Sequence, residues 1–207
     1  MSQCVSMDEV VNCTLEAIVN AHNEYLIWTN GEWLWNAPEY FLTVKIAEKI
    51  ANLEKTKFVT MEDNVDYILD HAHAKGSGRM HSDIRSNGRF DIVLWWAGGT
   101  PRAVIEVKNR VNVYSKIADD IKRIKEVLNR KVGASKIQFG LMAFYISQQY
   151  KNSAKDMLQK QINNIFEQAE KMVRDDFQIE QYGQEFMFCE DDINAYSPVV
   201  FLIKRRL

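Results

Sequence analysis

The chain has few of the features that mark secreted, membrane or disulfide-linked proteins. Its three cysteines, Cys4, Cys13 and Cys189, are widely spaced and form no CxxC pair, which favours reduced thiols in a reducing compartment. No apolar run approaches the roughly 20 residues that a membrane-spanning helix needs. The N-terminal sequence has neither a basic nor an apolar signal region. We therefore expect a cytoplasmic protein with no membrane partner.

Positive charge is absent from the N-terminal part of the chain. Residues 1–40 contain no Lys or Arg but six acids, whereas residues 102–136 contain ten basic and four acidic residues. The basic segment is either a phosphate-facing patch or a solvated helix face. The sequence has only three prolines and no internal repeat, so it shows few signs of a domain boundary. One domain over 1–207 is therefore expected. Within it, residues 1–37 form an acidic, aromatic-rich helical extension.

The aromatic residues of this N-terminal part allow three interpretations. They could stack on nucleic-acid bases, form a subunit contact, or belong to the core. The residues concerned are Tyr25, Trp28, Trp33, Trp35 and Tyr40.

Hydrophobic periodicity predicts alternating helices and strands. Helices are expected at 7–22, 38–53, 115–130 and 153–174, and residues 71–89 are expected to form a loop. Strands are expected at 58–61, 89–96, 102–108, 137–147 and 199–203, with 137–147 central because it is the most apolar. This order predicts a three-layer α/β domain.

Two of the predicted strands, 89–96 and 102–108, can form a hairpin through the loop 97–100. Opposed residues then have numbers that add up to 197, which places Asp91 opposite Glu106, with Cβ atoms about 4.5–5.5 Å apart. Lys108 shares their face. The other face is predicted to be apolar throughout, with Phe90, Ile92 and Leu94 against Ala103, Ile105 and Val107.

Opposed carboxylates repel each other, and a hard cation such as Mg²⁺ or Mn²⁺ would neutralise them. A surface salt bridge to Lys108 is the alternative. Glu39 falls on the apolar stripe of the helix at 38–53, where a carboxylate is costly unless it has a cationic partner. It is otherwise an acid favoured in a first helical turn.

Asp91, fourteen intervening residues and then Glu106-Val107-Lys108 resemble the signature of the PD-(D/E)XK nucleases. The resemblance covers about residues 38–147, with Phe90 where the family name has proline. It implies a restriction-endonuclease-like core with a mixed central sheet between helices. It also implies catalytic roles for Glu39, Asp91, Glu106 and Lys108. Asp91, Glu106, the Val107 carbonyl and Glu39 would bind Mg²⁺, for which Mn²⁺ could substitute.

The implied activity is metal-dependent hydrolysis of phosphodiester bonds, in DNA rather than RNA, in defence or repair. Arg89, Arg110 and Arg123 are candidates for contacts with the substrate, and a homodimer is expected by analogy. The alternative is a catalytically inactive module of the same fold that binds nucleic acid or assembles with proteins. His71, His73 and His81 lie close together in sequence, and they are either zinc ligands or loop residues.

Overall fold

The computed structural model describes residues 5–53, 57–76, 84, 87–189 and 191–206. Its α-helices are α1 (Met7–Thr29), α2 (Glu39–Ala51), α3 (Val65–His71), α4 (Ala118–Asn129) and α5 (Ala154–Val173). Its strands are β1 (Lys57–Asn64), β2 (Arg89–Trp96), β3 (Pro101–Lys108), β4 (Phe139–Gln149), β5 (Phe177–Tyr182), β6 (Phe188–Cys189) and β7 (Asn194–Arg205).

Over the described ranges, the strands form one seven-stranded sheet. Its order is β1-β2-β3-β4-β7-β5, and the short β6 pairs with β7. β3 and β4 are parallel, whereas the other neighbours are antiparallel. The sheet is therefore mixed, and the apolar strand expected to be central has neighbours on both sides.

Apolar residues cover both faces of the sheet because successive side chains of a buried strand point in opposite directions. In β4, Met142 and Phe144 join the core cluster formed with α3, α4 and α5. Leu141 and Ala143 join a second cluster formed with α1 and α2. Two helical layers thus enclose the sheet, which confirms the predicted three-layer α/β fold.

The helix predicted at 7–22 is longer than the sequence pattern indicated and runs to Thr29. Ser6 and Glu9 form a reciprocal capping box at its start, and Asn30 ends it in a left-handed conformation. Helix α1 packs on α2, β4 and β7. The acidic N-terminal part is therefore one of the layers that enclose the sheet.

The segment predicted as a loop at 71–89 falls partly on residues 77–83 and 85–86, which lie outside the described residues. The short helix α3, just before it, was not predicted, nor was the edge strand β5. Both are short elements, and short patterns are the weakest sequence signal.

The predicted hairpin register is confirmed over three pairs, and the predicted Asp91–Glu106 pair lies just beyond the last of them. Ile92 pairs with Ile105, Val93 with Val104 and Leu94 with Ala103, before a shift at Trp95. The predicted apolar face was wrong at Phe90, which packs with Val93 and Val104 rather than with Ile92. Alternation fails between Phe90 and Ile92, where the β1–β2 register omits one pair. Glu62 lies at the same place on β1, and its left-handed backbone (φ 58°) interrupts the pleat.

Candidate active site

Asp91 and the Glu106-Val107-Lys108 segment lie where β2 and β3 separate. Ile92–Ile105 is the last described pair of this ladder. Beyond it, the backbone N–H of Val107 donates to Oδ2 of Asp91 at 2.7 Å. The Asp91 side chain thus takes the place of a ladder acceptor. The Val107 carbonyl also points towards β2, because the N–H and C=O of one strand residue point to the same side.

Glu106 is 0% exposed, and Nη2 of Arg123 donates to its Oε1. Its other oxygen, Oε2, is buried and receives no hydrogen bond from a described donor. Burial raises the pKa of Glu106 well above its ordinary value; Arg123 opposes this rise, and the Asp91 carboxylate adds to it. Burial also raises the pKa of Asp91, against the lowering effects of the Val107 N–H and Lys108. This carboxyl pair lacks a positive counterpart at Oε2.

Lys108 connects the end of β3 to α2 and α4. Its Nζ lies 3.1 Å from Oε1 of Glu39 and 3.7 Å from Oδ2 of Asp120. Burial alone would lower the pKa of Lys108, but the Asp120 and Glu39 carboxylates outweigh it, so the pKa is raised. The ammonium group therefore stays charged at neutral pH, and two carboxylates fix its position.

Glu39 lies in the first turn of α2 and reaches the end of β3. Besides Lys108, the backbone N–H of Asn109 donates to its Oε2 at 3.1 Å. Its side chain is 43% exposed, so it borders the site from the solvent side. Glu39 faces the strands, as its place on the apolar stripe of the predicted helix indicated, but it is more exposed than the other residues of that stripe.

Asp120 belongs to this group, although it is not among the site residues predicted from the sequence. It is buried on α4, 3.5 Å from Nη2 of Arg123, and burial raises its pKa. A signal was present in the sequence. Asp120 is three residues after Ile117 and four before Ile124, both of which are buried, so it lies on the core-facing stripe.

The site carries more negative than positive charge. Its four carboxylates and two cationic groups give a formal charge of −2 when all are ionised, from Glu39, Asp91, Glu106 and Asp120 against Lys108 and Arg123. In the described ranges, no three His, Cys, Asp or Glu side chains are grouped closely enough to hold a metal between them. Mg²⁺ usually binds through one or two carboxylates and several waters. The Asp91–Glu106 pair, with its unpartnered oxygen, fits that requirement.

The three arginines proposed for substrate contacts differ in position. Arg89 is exposed at the start of β2 and pairs with Asn64 of β1. Arg110 is also exposed, and its Nε donates to the carbonyl of Trp35. Arg123 is only 8% exposed and lies over the ring of Phe90, 4.9 Å from the ring centroid. In this structure Arg123 is a buried counterion of Glu106 rather than an exposed phosphate contact.

Two histidines of the 71–81 segment are described, and His81 lies outside the described residues. Nδ1 of His71 is 3.0 Å from the carbonyl oxygen of Tyr67, and the two rings pack together. His73 has a left-handed backbone just after α3. The described contacts of His71 thus belong to the end of α3.

The aromatic residues of the N-terminal part divide into a packed group and an exposed group. Trp33 contacts the rings of His22 and Tyr196 edge-on. Trp28 and Tyr40 are 62% and 56% exposed. Trp33 is therefore part of the edge of the core, whereas the other two leave the stacking and subunit-contact interpretations open.

No family model matches the chain, and comparisons with the curated proteins and with the solved structures find no match either. None of the described helices is long and apolar enough to cross a membrane. The functional interpretation therefore depends on the geometry and electrostatics of the site.

Proposed function

We propose that the chain is a Mg²⁺-dependent nuclease of the PD-(D/E)XK class that hydrolyses phosphodiester bonds in DNA. The observation that carries the proposal is the pair formed by the half-buried Asp91 and the fully buried Glu106. Oε2 of Glu106 receives no described hydrogen bond, and its neighbour is another carboxylate. Arg123 compensates one oxygen of this buried carboxylate, and a divalent cation would also neutralise the charge at the other oxygen, which is otherwise unfavourable in a buried position.

Asp91, Glu106 and the Val107 carbonyl would hold the ion, with Glu39 at the solvent side. A bound Mg²⁺ supplies charge neutralisation for the phosphate and lowers the pKa of water. The Val107 N–H already fixes the Asp91 carboxylate, and Arg123 fixes that of Glu106. Both carboxylates are thus oriented in advance of binding.

Lys108 would act on the reacting groups directly. Its ammonium group can donate hydrogen bonds to the attacking water or to a phosphoryl oxygen that gains negative charge. Glu39 and Asp120 hold that group in place. A positioned charge stabilises a transition state because little reorganisation is needed during the reaction.

A catalytically inactive module is the second candidate, and one observation favours it. The ion pairs Arg123–Glu106 and Lys108–Glu39 already neutralise part of the charge without a metal. Such a module would bind nucleic acid or a protein partner through the same fold, with no dependence on divalent cations.

Cleavage assays separate the two functions. Plasmid, linear and single-stranded DNA and RNA would be incubated with Mg²⁺, Mn²⁺ or EDTA. The variants are Asp91→Asn and Lys108→Met, and the matched controls at exposed positions are Asp70→Asn and Lys116→Met. We expect metal-dependent cutting of DNA that the site variants reduce about 100-fold or more and the controls leave unchanged. Absence of cutting on every substrate, with all variants folded, would reject the nuclease function.

A further inference from the structure

A cavity of about 330 Å³ lies at the end of β4, apart from the carboxylate group. Its lining combines two indole rings, four side-chain carboxamides and one hydroxyl group, and none of these side chains is charged. The lining residues are Trp33, Trp35, Asn36, Ser147, Gln148, Gln149 and Asn194. The volume falls within the range of about 300–1,000 Å³ that is typical of small-ligand sites.

This lining is chemically suited to a planar heteroaromatic group. Indole faces stack on nucleobases of any identity. Asn36 and Asn194 already donate to the carboxylates of Glu32 and Asp191. The carboxamides of Gln148 and Gln149 present a donor and an acceptor side by side, the arrangement with which Asn and Gln recognise base edges. The cavity offers no charged side chain that would attract a phosphate. A nucleobase satisfies both the stacking and the polar features of the lining.

Trp33, one of the two indoles of the lining, packs against two aromatic rings on its other side. Trp33 packs against the rings of His22 and Tyr196, with centroids 5.9 and 5.4 Å away. His22 is fully buried, and burial lowers its pKa to about 4. The ring is therefore neutral at physiological pH. A preformed wall reduces the ordering cost of binding.

The cavity is also tied to the candidate active site through the residues that follow Lys108. Nδ2 of Asn109 donates to the carbonyls of Leu34 and Ala37, at 2.8 and 3.0 Å. Nε of Arg110 donates to the carbonyl of Trp35. The segment that contains both indoles is thus anchored directly to the end of β3.

Strand geometry gives the separation between the two places. Lys108 pairs with Phe144 in the parallel β3–β4 ladder. Residues 147–149 lie three to five positions further along β4, about 10–17 Å at 3.3 Å per residue. A stacked strand advances about 3.4 Å per nucleotide, so a strand with one unstacked base would cover this distance in at most about three to five nucleotides. The cavity opens on the face of the sheet that α1 and α2 cover, whereas Glu106 faces α4, so one bound strand would reach both places by passing the ends of β3 and β4.

We propose that this cavity binds one unstacked nucleobase of the nucleic-acid strand that occupies the candidate active site, a few nucleotides from the cleaved phosphate. The inference rests on the proposed function for the origin of the strand. A free mononucleotide offers the same chemistry, and the shared location with the active site favours the strand.

Binding measurements in EDTA test the cavity without cleavage. Labelled single-stranded 12-mers would be titrated by fluorescence polarisation, each with an abasic site at one successive position, and dAMP, dGMP, dCMP and dTMP by calorimetry. The variants are Trp35→Ala and Trp35→Phe, with Trp28→Ala as the control because Trp28 is exposed and does not line the cavity. Gln149→Ala provides a second variant at an exposed position of the lining.

We expect Trp35→Ala to weaken oligonucleotide binding about 5- to 150-fold, because stacking on one base contributes about 1–3 kcal/mol. Trp35→Phe should keep most of the affinity, Gln149→Ala should change the preference among bases, and Trp28→Ala should have no effect. An abasic site at one position should remove the difference between wild type and Trp35→Ala. Tight mononucleotide binding without oligonucleotide binding would overturn the strand as the source.

Equal affinities of wild type, Trp35→Ala and Gln149→Ala for every oligonucleotide and nucleotide would overturn the inference. This failure can be distinguished from failure of the proposed function. If the protein cuts DNA but its affinity for nucleic acid does not depend on these residues, only the inference about the cavity is rejected. If the protein binds a base through Trp35 but cuts no substrate, only the proposed nuclease function is rejected.

Discussion

Nη2 of Arg123 donates a hydrogen bond to Oε1 of Glu106, and both side chains are buried between α4 and the sheet. This pair accounts for one oxygen of the carboxylate and leaves Oε2 without a described donor. Because the pair is buried, each partner makes the burial of the other tolerable. The site can therefore fold before any metal is bound.

Loss of Arg123 is predicted to destabilise the metal-free protein strongly. Arg123→Met leaves Glu106 buried without its counterion, which typically costs about 3–5 kcal/mol. The double variant Glu106→Gln/Arg123→Met should recover much of this loss, because no uncompensated charge remains. Urea unfolding in EDTA measures both effects. If the free-energy changes of Arg123→Met and Glu106→Gln alone add up to that of the double variant, the two residues are not coupled and the prediction is contradicted.

Magnesium is predicted to stabilise the wild type and not the Asp91→Asn variant. At a concentration of 100 Kd, a ligand of the native state contributes about 2.7 kcal/mol. A protein of this size should then melt about 5–11 °C higher. Asp91→Asn keeps an acceptor for the Val107 N–H but lacks the charge. Thermal unfolding with Mg²⁺ and with EDTA measures the shift, and Asp70→Asn should behave like wild type. An equal shift in Asp91→Asn would exclude Asp91 as a ligand.

The stability of the metal-free protein is predicted to fall as the pH rises above the ordinary pKa values of Asp91 and Glu106. Asp91 and Glu106 have ordinary pKa values of 3.8 and 4.5, and burial raises both in the folded state. The folded chain therefore holds more protons than the unfolded chain above those values. The free energy of unfolding therefore decreases with rising pH, and it stops decreasing when the pH exceeds the raised pKa values of the two carboxyls.

Mg²⁺ should reverse this trend, because its carboxylate ligands must lose their protons. The stabilisation by Mg²⁺ should thus be larger at pH 8 than at pH 5.5. Unfolding at a series of pH values, with Mg²⁺ and with EDTA, measures both slopes. Asp91→Asn should flatten the slope of the metal-free protein, and a wild-type slope of the opposite sign would reject the explanation.

The fold was predictable to the extent that its elements carry a strong periodic pattern. The register that places Asp91 near Glu106 was predicted from a four-residue loop, and the Ile92–Ile105 pair has that register despite the shift at Trp95. Alternation fails between Phe90 and Ile92, beside the left-handed residue Glu62 of the neighbouring strand. No pattern within β2 contains that information.

The candidate site was predictable only in part. Glu39 could be oriented from its own helix, but its contact with Lys108 spans 69 positions of sequence and depends on how α2 crosses the sheet. Asp120 and Arg123 were visible as charges on an amphipathic helix, yet their partner Glu106 is set by tertiary packing. The cavity beside Trp35 joins the N-terminal part to β4 and β7, and no local signal predicts it.

Gly140 is predicted to set the distance between α4 and the sheet, and hence the position of Asp120 and Arg123. A Cβ atom at Gly140 would overlap Cγ2 of Ile124 on α4. Gly140→Ala should therefore cost about 1–3 kcal/mol through overpacking. Gly98→Ala, in the hairpin loop with open space around it, should change stability by less than about 0.5 kcal/mol.

The overlap with Ile124 can be tested by a double-mutant cycle in urea. Ile124→Ala removes the atom that Gly140→Ala would meet, so in that background the added methyl group should cost little or even fill the space. The coupling between the two substitutions should reach about 1 kcal/mol or more, as expected for residues in contact. The same cost of Gly140→Ala in both backgrounds would show that Ile124 is not the obstacle. The Mg²⁺ dependence of unfolding in Gly140→Ala would then show whether a displaced α4 also disturbs the carboxylates.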